Sequence, residues 1–291
     1  MGLPTVKTAE SNAVRVRLTR APAGVLRPFV RTVWAMDQAV SWRPGISDRE
    51  CVLPTGGVHI AFRLSDPSVR LFEDPGDLTG RMVGIAVVGG PRVRPYIRDV
   101  SRLGRSVGAQ LCPGACELVL GVPADKLAGG HSALEDFWGP DAVDLRERLL
   151  EADAPEKQLE ILESFLSARL PGVHGLNPAV AHALERFATT TNVAQVVRET
   201  GYSHRRFIAL FRHAVGLSPK LYCRLQRFQR ALHRMAAEPS AAPVDVALKA
   251  GYSDQPHFNR EFRDFGGMTP GEYGEFSPML PYHVPLPPLR R

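Results

Sequence analysis

Two sets of side chains near the C-terminal end of the sequence have the chemistry for binding nucleic acid. Arginine can bond guanine edges or phosphates, and glutamine and asparagine can bond adenine edges. In both sets these side chains alternate with aromatic and aliphatic residues at helical spacing. The first set is His204, Arg205, Arg206, Ile208, Arg212 and His213, and the second is Gln255, Pro256, His257, Asn259, Arg260 and Arg263.

A cysteine nucleophile is the strongest alternative chemistry. Cys112 precedes Pro113 and lies four residues before Cys116, but the sequence arranges no histidine or paired glutamate around it. A reactive thiolate needs a nearby base or cation that lowers its pKa. We therefore expect structural thiols at Cys51, Cys112, Cys116 and Cys223, no catalytic residue and no enzyme activity. A DNA-repair or thiol-redox protein with a reactive cysteine stays open as an alternative.

A metal-binding barrel is a weaker alternative. It would need two or three histidines and a carboxylate pointing inward. The candidate strands offer His59 and little else. We therefore expect a packed or edge histidine at this position, and neither a metal nor a cofactor.

The two polar sets occupy equivalent places in an internal repeat. The triplet GYS at 201–203 recurs at 251–253, and the matches continue downstream with a one-residue insertion. A fixed-offset match of this length indicates two copies of one structural unit. The matched residues are Phe207, Phe211, Arg212, Gly216, Ser218, Pro219 and Tyr222 in the first copy, and Phe258, Phe262, Arg263, Gly267, Thr269, Pro270 and Tyr273 in the second.

Each copy has the features of a helix-turn-helix. In the first, Asn192 followed by Gln195 predicts a capping box before a short helix over 193–200. Gly201 suits the left-handed residue that ends such a helix, and Ser203 is a predicted N-cap for the next one. The polar set would then lie on the outer face of the second, recognition helix.

The second copy repeats this arrangement, with Pro243 in a first helical turn, Gly251 in the turn and Ser253 as the predicted N-cap. One long helix is predicted between the copies. A continuous helix would hold both units on one face of a duplex about 34 Å apart. Its apolar stripe is Leu221, Leu225, Phe228, Leu232 and Met235, and a solvated face carries Arg224, Arg227, Arg230 and Arg234.

The positive charge of the chain is concentrated in the repeat. The 291 residues carry a net charge of +6, and 13 Lys or Arg against 8 Asp or Glu lie between Pro178 and Gly274. Such an excess is typical of a nucleic-acid-binding surface.

The first residues lack an apolar signal-peptide core, and the apolar run Met82–Gly90 is too short to span a bilayer. We therefore expect a cytoplasmic protein with no membrane partner.

Over about 178–275 the sequence resembles the AraC/XylS family of transcription regulators. The strings that carry the resemblance are GYS at 201–203, VGLSPKLYCRLQRFQRAL at 215–232 and AGYSDQPHFNREFRDFGGMTPGEY at 250–273. In this family each recognition helix enters a major-groove segment, and a separate domain often senses a small molecule or drives dimerisation. Ala209 stands where the first recognition helix of the family usually has arginine, whereas the second unit keeps Arg260.

The resemblance implies a sequence-specific transcription regulator that binds double-stranded DNA, and we expect it to be an activator. Further expected partners are a small-molecule effector, a second copy of the chain and RNA polymerase. A DNA-binding protein without ligand sensing stays open as a second alternative. Residues near the start of each recognition helix are the base-reading candidates, His204, Arg205, Ile208, Gln255, Pro256 and Asn259, and the phosphate-binding candidates are Arg206, Arg212, Arg260 and Arg263.

The N-terminal part is predicted to be a small antiparallel β barrel or sandwich, because short runs of Val, Ile and aromatic residues alternate with Pro, Gly and Asp. Two helices follow, and the apolar stripe of the second could serve either dimerisation or packing inside the domain. The strings LPTGGVHIAFRL at 53–64 and PGACELVLGVPADKL at 113–127 resemble sensor-like domains of some AraC-type regulators. The predicted strands are Val14–Leu18, Phe29–Met36, Val58–Leu64, Met82–Val88, Val93–Ile97 and Ser106–Leu111, and the helices are Asp141–Glu151 and Pro155–Leu170.

The expected fold class is therefore α+β, with an all-α C-terminal domain of two helix-turn-helix units joined by a long helix. The expected domains are a sensor or dimerisation domain at 1–172, a linker at 173–178, the DNA-binding domain at 179–276 and a Pro-rich tail at 277–291. The tail is expected to be extended or loosely ordered.

Overall fold

The computed structural model of the protein describes residues 15–38, 48–65, 69–101, 104–170, 175–276, 278 and 280–287. Its fold class is α+β, as the sequence predicted. Two antiparallel sheets lie in the N-terminal part, and the region from 178 to 276 is helical. The sheets are separate and form a sandwich, so the sandwich is the correct one of the two predicted forms.

The strands of the described residues form two sheets of different composition. The strands are β1 (Arg15–Arg20), β2 (Val30–Gln38), β3 (Arg49–Val52), β4 (His59–Arg63), β5 (Val69–Phe72), β6 (Arg81–Val83), β7 (Ala86–Gly89), β8 (Tyr96–Asp99), β9 (Ser106–Leu111), β10 (His131–Ala133) and β11 (His283–Pro285). The first sheet has the order β1-β2-β9-β4-β7-β10 and the second has the order β11-β3-β8-β5-β6.

Several predicted strands shift in the structure. The run Met82–Val88 is divided into β6 and β7, and Val93–Ile97 is replaced by β8, which begins at Tyr96. Pro95 explains the second change, because a proline has no N–H to donate to a sheet ladder. Val14, the first residue of the first predicted strand, lies outside the described residues. The short strands β3, β5, β10 and β11 were not predicted.

One face of the first sheet packs against helices and forms the N-terminal core. Ile60 and Phe62 of β4 are fully buried there together with Leu145 and Leu162. The helix at Pro155–Arg169 has its apolar stripe buried against the sheet. The stripe therefore packs inside the domain and is not a free dimerisation face. The helices are α1 (Cys116–Leu120), α2 (Ala124–Leu127), α3 (Glu135–Trp138), α4 (Pro140–Glu151) and α5 (Pro155–Arg169).

The C-terminal helices enclose an aromatic core that the repeat predicts. Phe211 packs edge-on against Phe187 with ring centroids 5.7 Å apart, and Phe262 packs against Phe228 at 5.1 Å. Phe211 and Phe262 occupy equivalent positions of the two copies, so each unit is built around its own aromatic pair. The helices are α6 (Pro178–Arg186), α7 (Val193–Thr200), α8 (His204–Val215), α9 (Pro219–Ala237), α10 (Pro243–Ala250), α11 (Gln255–Gly266) and α12 (Pro270–Phe276).

The described part of the Pro-rich tail contains an extended segment that pairs with another strand. Strand β11 lies antiparallel to β3 at the edge of the second sheet, with Val284 opposite Cys51. Both of these side chains are buried in the same core as the C-terminal helices. The second sheet and the C-terminal helices therefore share a core, although they come from opposite ends of the chain. Of the predicted linker, residues 173 and 174 lie outside the described residues.

A search of the described residues for a helix long and apolar enough to cross a membrane finds none.

Candidate nucleic-acid interface

The first unit begins with a capped short helix. Asn192 Oδ1 accepts a hydrogen bond from Gln195 N at 3.0 Å, which confirms the predicted N-cap of α7. The reciprocal half of the predicted capping box is wrong, because the Gln195 side chain donates to Glu199 Oε1 instead. Glu199 also accepts from Arg186, so its carboxylate joins α7 to α6.

The turn and the recognition helix of the first unit follow as predicted. Gly201 ends α7 with φ +73°, a left-handed conformation that L side chains rarely adopt. Ser203 Oγ accepts from Arg206 N and caps α8. The start of α8 at His204 is thereby fixed three residues after the turn glycine.

In the second unit the predicted cap is wrong by one residue. Asp254 Oδ1 accepts from His257 N at 2.7 Å and caps α11, while Ser253 Oγ donates to the other Asp254 oxygen. The one-residue insertion in the repeat lies between Ser253 and Phe258, so its register could have indicated Asp254. A carboxylate also suits the positive end of a helix dipole. The hydrogen bond from His257 N is the main cause of the lowered pKa of Asp254.

The structure places the first polar set on the outer side of α8. His204, Arg205, Arg206 and Arg212 are exposed, and Ile208 is half-buried. The Arg206 guanidinium lies over the Tyr202 ring, 5.2 Å from its centroid. Such stacking keeps a long side chain ordered near the start of the helix.

The second polar set has the same arrangement on α11. Gln255, Pro256, Arg260 and Arg263 are exposed, and Asn259 is half-buried. In each helix an exposed side chain of the first turn, Arg205 or Gln255, is therefore followed one turn later by a half-buried one, Ile208 or Asn259.

A buried carboxylate that sequence reasoning missed joins α11 to the long helix α9. Glu261 is only 2% exposed and accepts from Arg224 Nε at 2.8 Å and from Arg227 Nη2 at 3.2 Å. Arg227 also lies over the Tyr252 ring at 5.1 Å. The predicted solvated face of α9 is therefore wrong for these two arginines. The sequence did contain a signal for this ion pair: arginines recur along α9, and one glutamate lies among the aromatic residues of α11.

A polar cleft lies beside this ion pair, between the start of α9 and α11. Among the described residues that line it, the basic side chains outnumber the acidic ones, which favours an anionic occupant such as a phosphate. Its lining is Thr191, Lys220, Cys223, Arg224, Arg227, His257, Arg260, Glu261, Arg263 and Asp264.

The cysteines are in environments that suppress thiolate chemistry. Burial raises the pKa of Cys51 and Cys116 to about 12 and that of Cys223 to about 11. The pKa of Cys112 is also raised by burial. A thiol with a raised pKa is a poor nucleophile at neutral pH, so this geometry gives the reactive-cysteine alternative no support.

His59, Arg92, Tyr96 and His131 form a polar group between the two sheets, here called the inter-sheet cluster. The His59 and His131 rings meet edge-on with centroids 5.8 Å apart, and His131 packs edge-on against Tyr96 at 4.7 Å. Burial, and then the charge of Arg92, lower the pKa of both histidines, to about 4 for His59. Both imidazoles are therefore neutral at pH 7, and His59 is indeed a packed histidine.

Because these two histidines have lowered pKa values, we expect the folded protein to lose stability in acid. Between pH 6.5 and about 4 the unfolded chain binds protons that folded His59 cannot, so stability falls as pH falls through this window, by up to about 1.4 kcal/mol per pH unit for each histidine. Besides Arg92, the charged groups that lower the His59 pKa are Arg98 and His283, and for His131 they include Arg81. In urea unfolding at pH 7, 6 and 5, His59→Gln should show a shallower loss than the wild type. The exposed control His204→Gln should keep the wild-type slope, and an equal slope in all three proteins would contradict the assignment.

Two family models match separate parts of the chain. The model described as a helix-turn-helix domain matches residues 196–275, which contain both recognition helices. A domain of unknown function matches residues 18–133, which contain β2 to β10 and the second half of β1. The two matches divide the chain much as the fold does.

Curated relatives match the C-terminal part. The HTH-type transcriptional regulator ArgR of Pseudomonas aeruginosa is 29% identical over 126 residues, which cover 43% of this chain and 36% of the relative. The virulence regulon transcriptional activator VirF of Yersinia enterocolitica is 28% identical over 88 residues, covering 30% of this chain and 32% of the relative. The chain spans about a third of the length of the curated relatives it matches.

Among solved structures, ToxT from Vibrio cholerae O395 bound to (E)-4-(8-methylnaphthalen-1-yl)but-3-enoic acid is 10% identical, with a TM-score of 0.46. The superposition covers 80% of this chain and 96% of that one.

Proposed function

The C-terminal third of this chain is an AraC-type helix-turn-helix domain, and from this premise we propose that the whole protein is a sequence-specific DNA-binding transcription regulator. The observation that carries the proposal is the presence of two capped recognition helices joined by α9. Each presents arginine and other polar side chains at its first turns. The N-terminal turns of a recognition helix are the part that contacts base edges.

The side chains divide into two roles. Base edges are read by His204, Arg205, Ile208, Gln255, Pro256 and Asn259, whereas phosphates are bound by Arg206, Arg212, Arg260 and Arg263. Arg260 and Arg263 line the cleft beside α9, which favours an anionic contact for them. Arg205 is suited to guanine and Asn259 to adenine, because both side chains can form bidentate bonds to those bases.

The N-terminal domain regulates the DNA-binding helices through direct contact. Gln229 of α9 donates to Thr55 O at 2.6 Å, and Leu225 packs where a Cβ at Gly56 would stand. At the first unit, His213 Nε2 of α8 lies 3.5 Å from Glu117 Oε2 of α1. A small-molecule effector bound to the N-terminal domain can therefore bias both recognition helices.

The remaining features of the proposal follow from this role. The protein acts in the cytoplasm, where its DNA target lies, and has no catalytic activity of its own. As an activator it contacts RNA polymerase, and a second copy of the chain can bind through the N-terminal domain.

Selection of bound sequences from random DNA by the full-length chain tests this function. We expect a recurring motif of two half-elements with centres about 10 base pairs apart. The double variant Arg205→Ala with Asn259→Ala serves as the matched control and should enrich this motif poorly. Recovery of unrelated sequences by the wild type, with no motif at moderate salt, would overturn the proposed function.

A further inference from the structure

The inter-sheet cluster is built around one glycine. Across three neighbouring strands of the first sheet, His59 of β4 and His131 of β10 are both register partners of Gly89 on β7. Partners in one register row project to the same face of a sheet. A Cβ at Gly89 would stand 2.0 Å from His59 Cε1, so the histidine rings meet only because this position has no side chain.

Arg92 completes the cluster and carries an uncompensated charge. Its Nη2 donates to Gly129 O at 3.2 Å and to His131 Nδ1 at 2.9 Å, and its guanidinium lies 4.4 Å from the Tyr96 ring centroid. Its Nε is buried with no hydrogen-bond partner among the described residues. Among the described residues, the groups that shift the pKa of Arg92 include Tyr96 and Arg81 but no carboxylate.

Arg98, the neighbouring arginine on the second sheet, has a carboxylate as its counter-ion, and in this it differs from Arg92. Arg98 Nε donates to Glu50 Oε2 at 2.7 Å, and His283 Nδ1 lies 3.1 Å from the same oxygen. The Glu50 carboxylate is therefore already occupied. A half-buried cation without a counter-ion is costly, and an anion that binds beside it removes this cost.

The protonation of the histidines also suits an anion. Because an arginine can only donate, His131 Nδ1 accepts from Arg92, and the proton of the neutral ring lies on Nε2. This N–H is a donor. The cluster thus combines a guanidinium with imidazole and phenol donors, next to the apolar side chains of Leu71, Val83 and Val87.

We propose that the inter-sheet cluster binds a small organic anion through a single carboxylate or phosphate group, with Arg92 as its counter-ion. This anion would be the small-molecule effector of the regulator, and only that identification rests on the proposed function. The apolar neighbours accommodate the body of the molecule, whereas Arg92 and His131 bind its charged group.

The second sheet connects the cluster to the DNA-binding helices. Along β3 the Glu50 side chain pairs with Arg98 near the cluster, whereas the next residue, Cys51, is buried in the core of the C-terminal helices. Strand β11, which pairs with β3, contributes Val284 to the same core. A shift of β3 on anion binding therefore changes the support of α9 and of the recognition helices.

Thermal unfolding of the full chain, without DNA, tests anion binding. The probes are inorganic phosphate, acetate and benzoate, each compared with sodium chloride at equal ionic strength. Preferential binding to the folded state should raise the Tm by about 2 °C or more for at least one probe. The shift should disappear in Arg92→Gln and persist in the matched control Arg94→Gln, because Arg94 is exposed.

Equal shifts in all three proteins, or no shift with any probe, would overturn the proposal. If Arg92→Gln does not fold, His131→Ala removes the other group that binds the anion, and it should lose the shift in the same way. A bound anion should also raise the pKa of His131 in side-chain NMR titrations of the wild type. These readouts involve no DNA, so the absence of a DNA motif leaves them interpretable, and a failed anion test leaves the DNA selection unaffected.

Discussion

Asn259→Ala and Arg205→Ala should each weaken binding to the preferred DNA site by roughly 1–3 kcal/mol and relax selection at one or two base positions. Asn259 lies one turn into α11, half-buried, and Arg205 lies in the exposed first turn of α8. Each bidentate bond to the correct base is lost in the variant, whereas a wrong base offered no such bond to begin with. Titrations against the preferred site and its single-base variants measure the difference.

Arg263→Ala is the matched comparison, because its guanidinium lies farther along α11 in the basic cleft. It should weaken binding to all sequences alike and reduce the slope of log affinity against log salt by about one unit. The assignment of roles is wrong if Asn259→Ala and Arg205→Ala leave the base preferences intact while Arg263→Ala changes them.

Glu261→Ala should lower the free energy of unfolding by about 3 kcal/mol. The carboxylate is 2% exposed and binds two arginines, of which Arg227 is 18% and Arg224 is 36% exposed. Its removal leaves Arg227 poorly hydrated and without a counter-ion, and loss of one partner of a buried pair costs about 3–5 kcal/mol. The lower end applies because Arg224 can turn toward water. Urea unfolding of the full chain measures the change.

Asp264→Ala is the control for this prediction. Asp264 lies on the same helix and contacts the same Arg224 at 3.5 Å, but it is 65% exposed. An exposed ion pair contributes at most about 1 kcal/mol, so the control should be nearly neutral. Equal destabilisation by both substitutions would show that the burial of Glu261 does not determine its contribution to the free energy of unfolding.

The C-terminal fold could be predicted because its signals are local and occur twice. Gly201 and Gly251 mark the turns, and Phe211 and Phe262 mark the buried faces ten and eleven residues after them. Caps and helical periodicity act over three or four residues, so a sequence displays them directly. Even the misplaced cap at Ser253 was within reach, because the insertion in the repeat points to Asp254.

The remaining contacts could not be predicted because they join distant parts of the chain. Strand β11 pairs with β3 across more than 200 residues, and neither strand is longer than four residues. The inter-sheet cluster depends on the register of His59 and His131 with Gly89, and a one-residue slip would move these rings to opposite faces. The burial of Glu261 likewise depends on how α11 packs against α9, which the composition of either helix alone does not reveal.

We expect α9 to hold both recognition helices in successive major-groove segments of one duplex. A helix of the length of α9, 19 residues, spans about 28 Å, close to one turn of DNA. The direct test is a binding titration of the full chain against the selected site and a copy with five base pairs inserted between its half-elements. We expect a loss of affinity of about tenfold or more, because the insertion turns one half-element to the opposite face. Unchanged affinity for the altered site would contradict it.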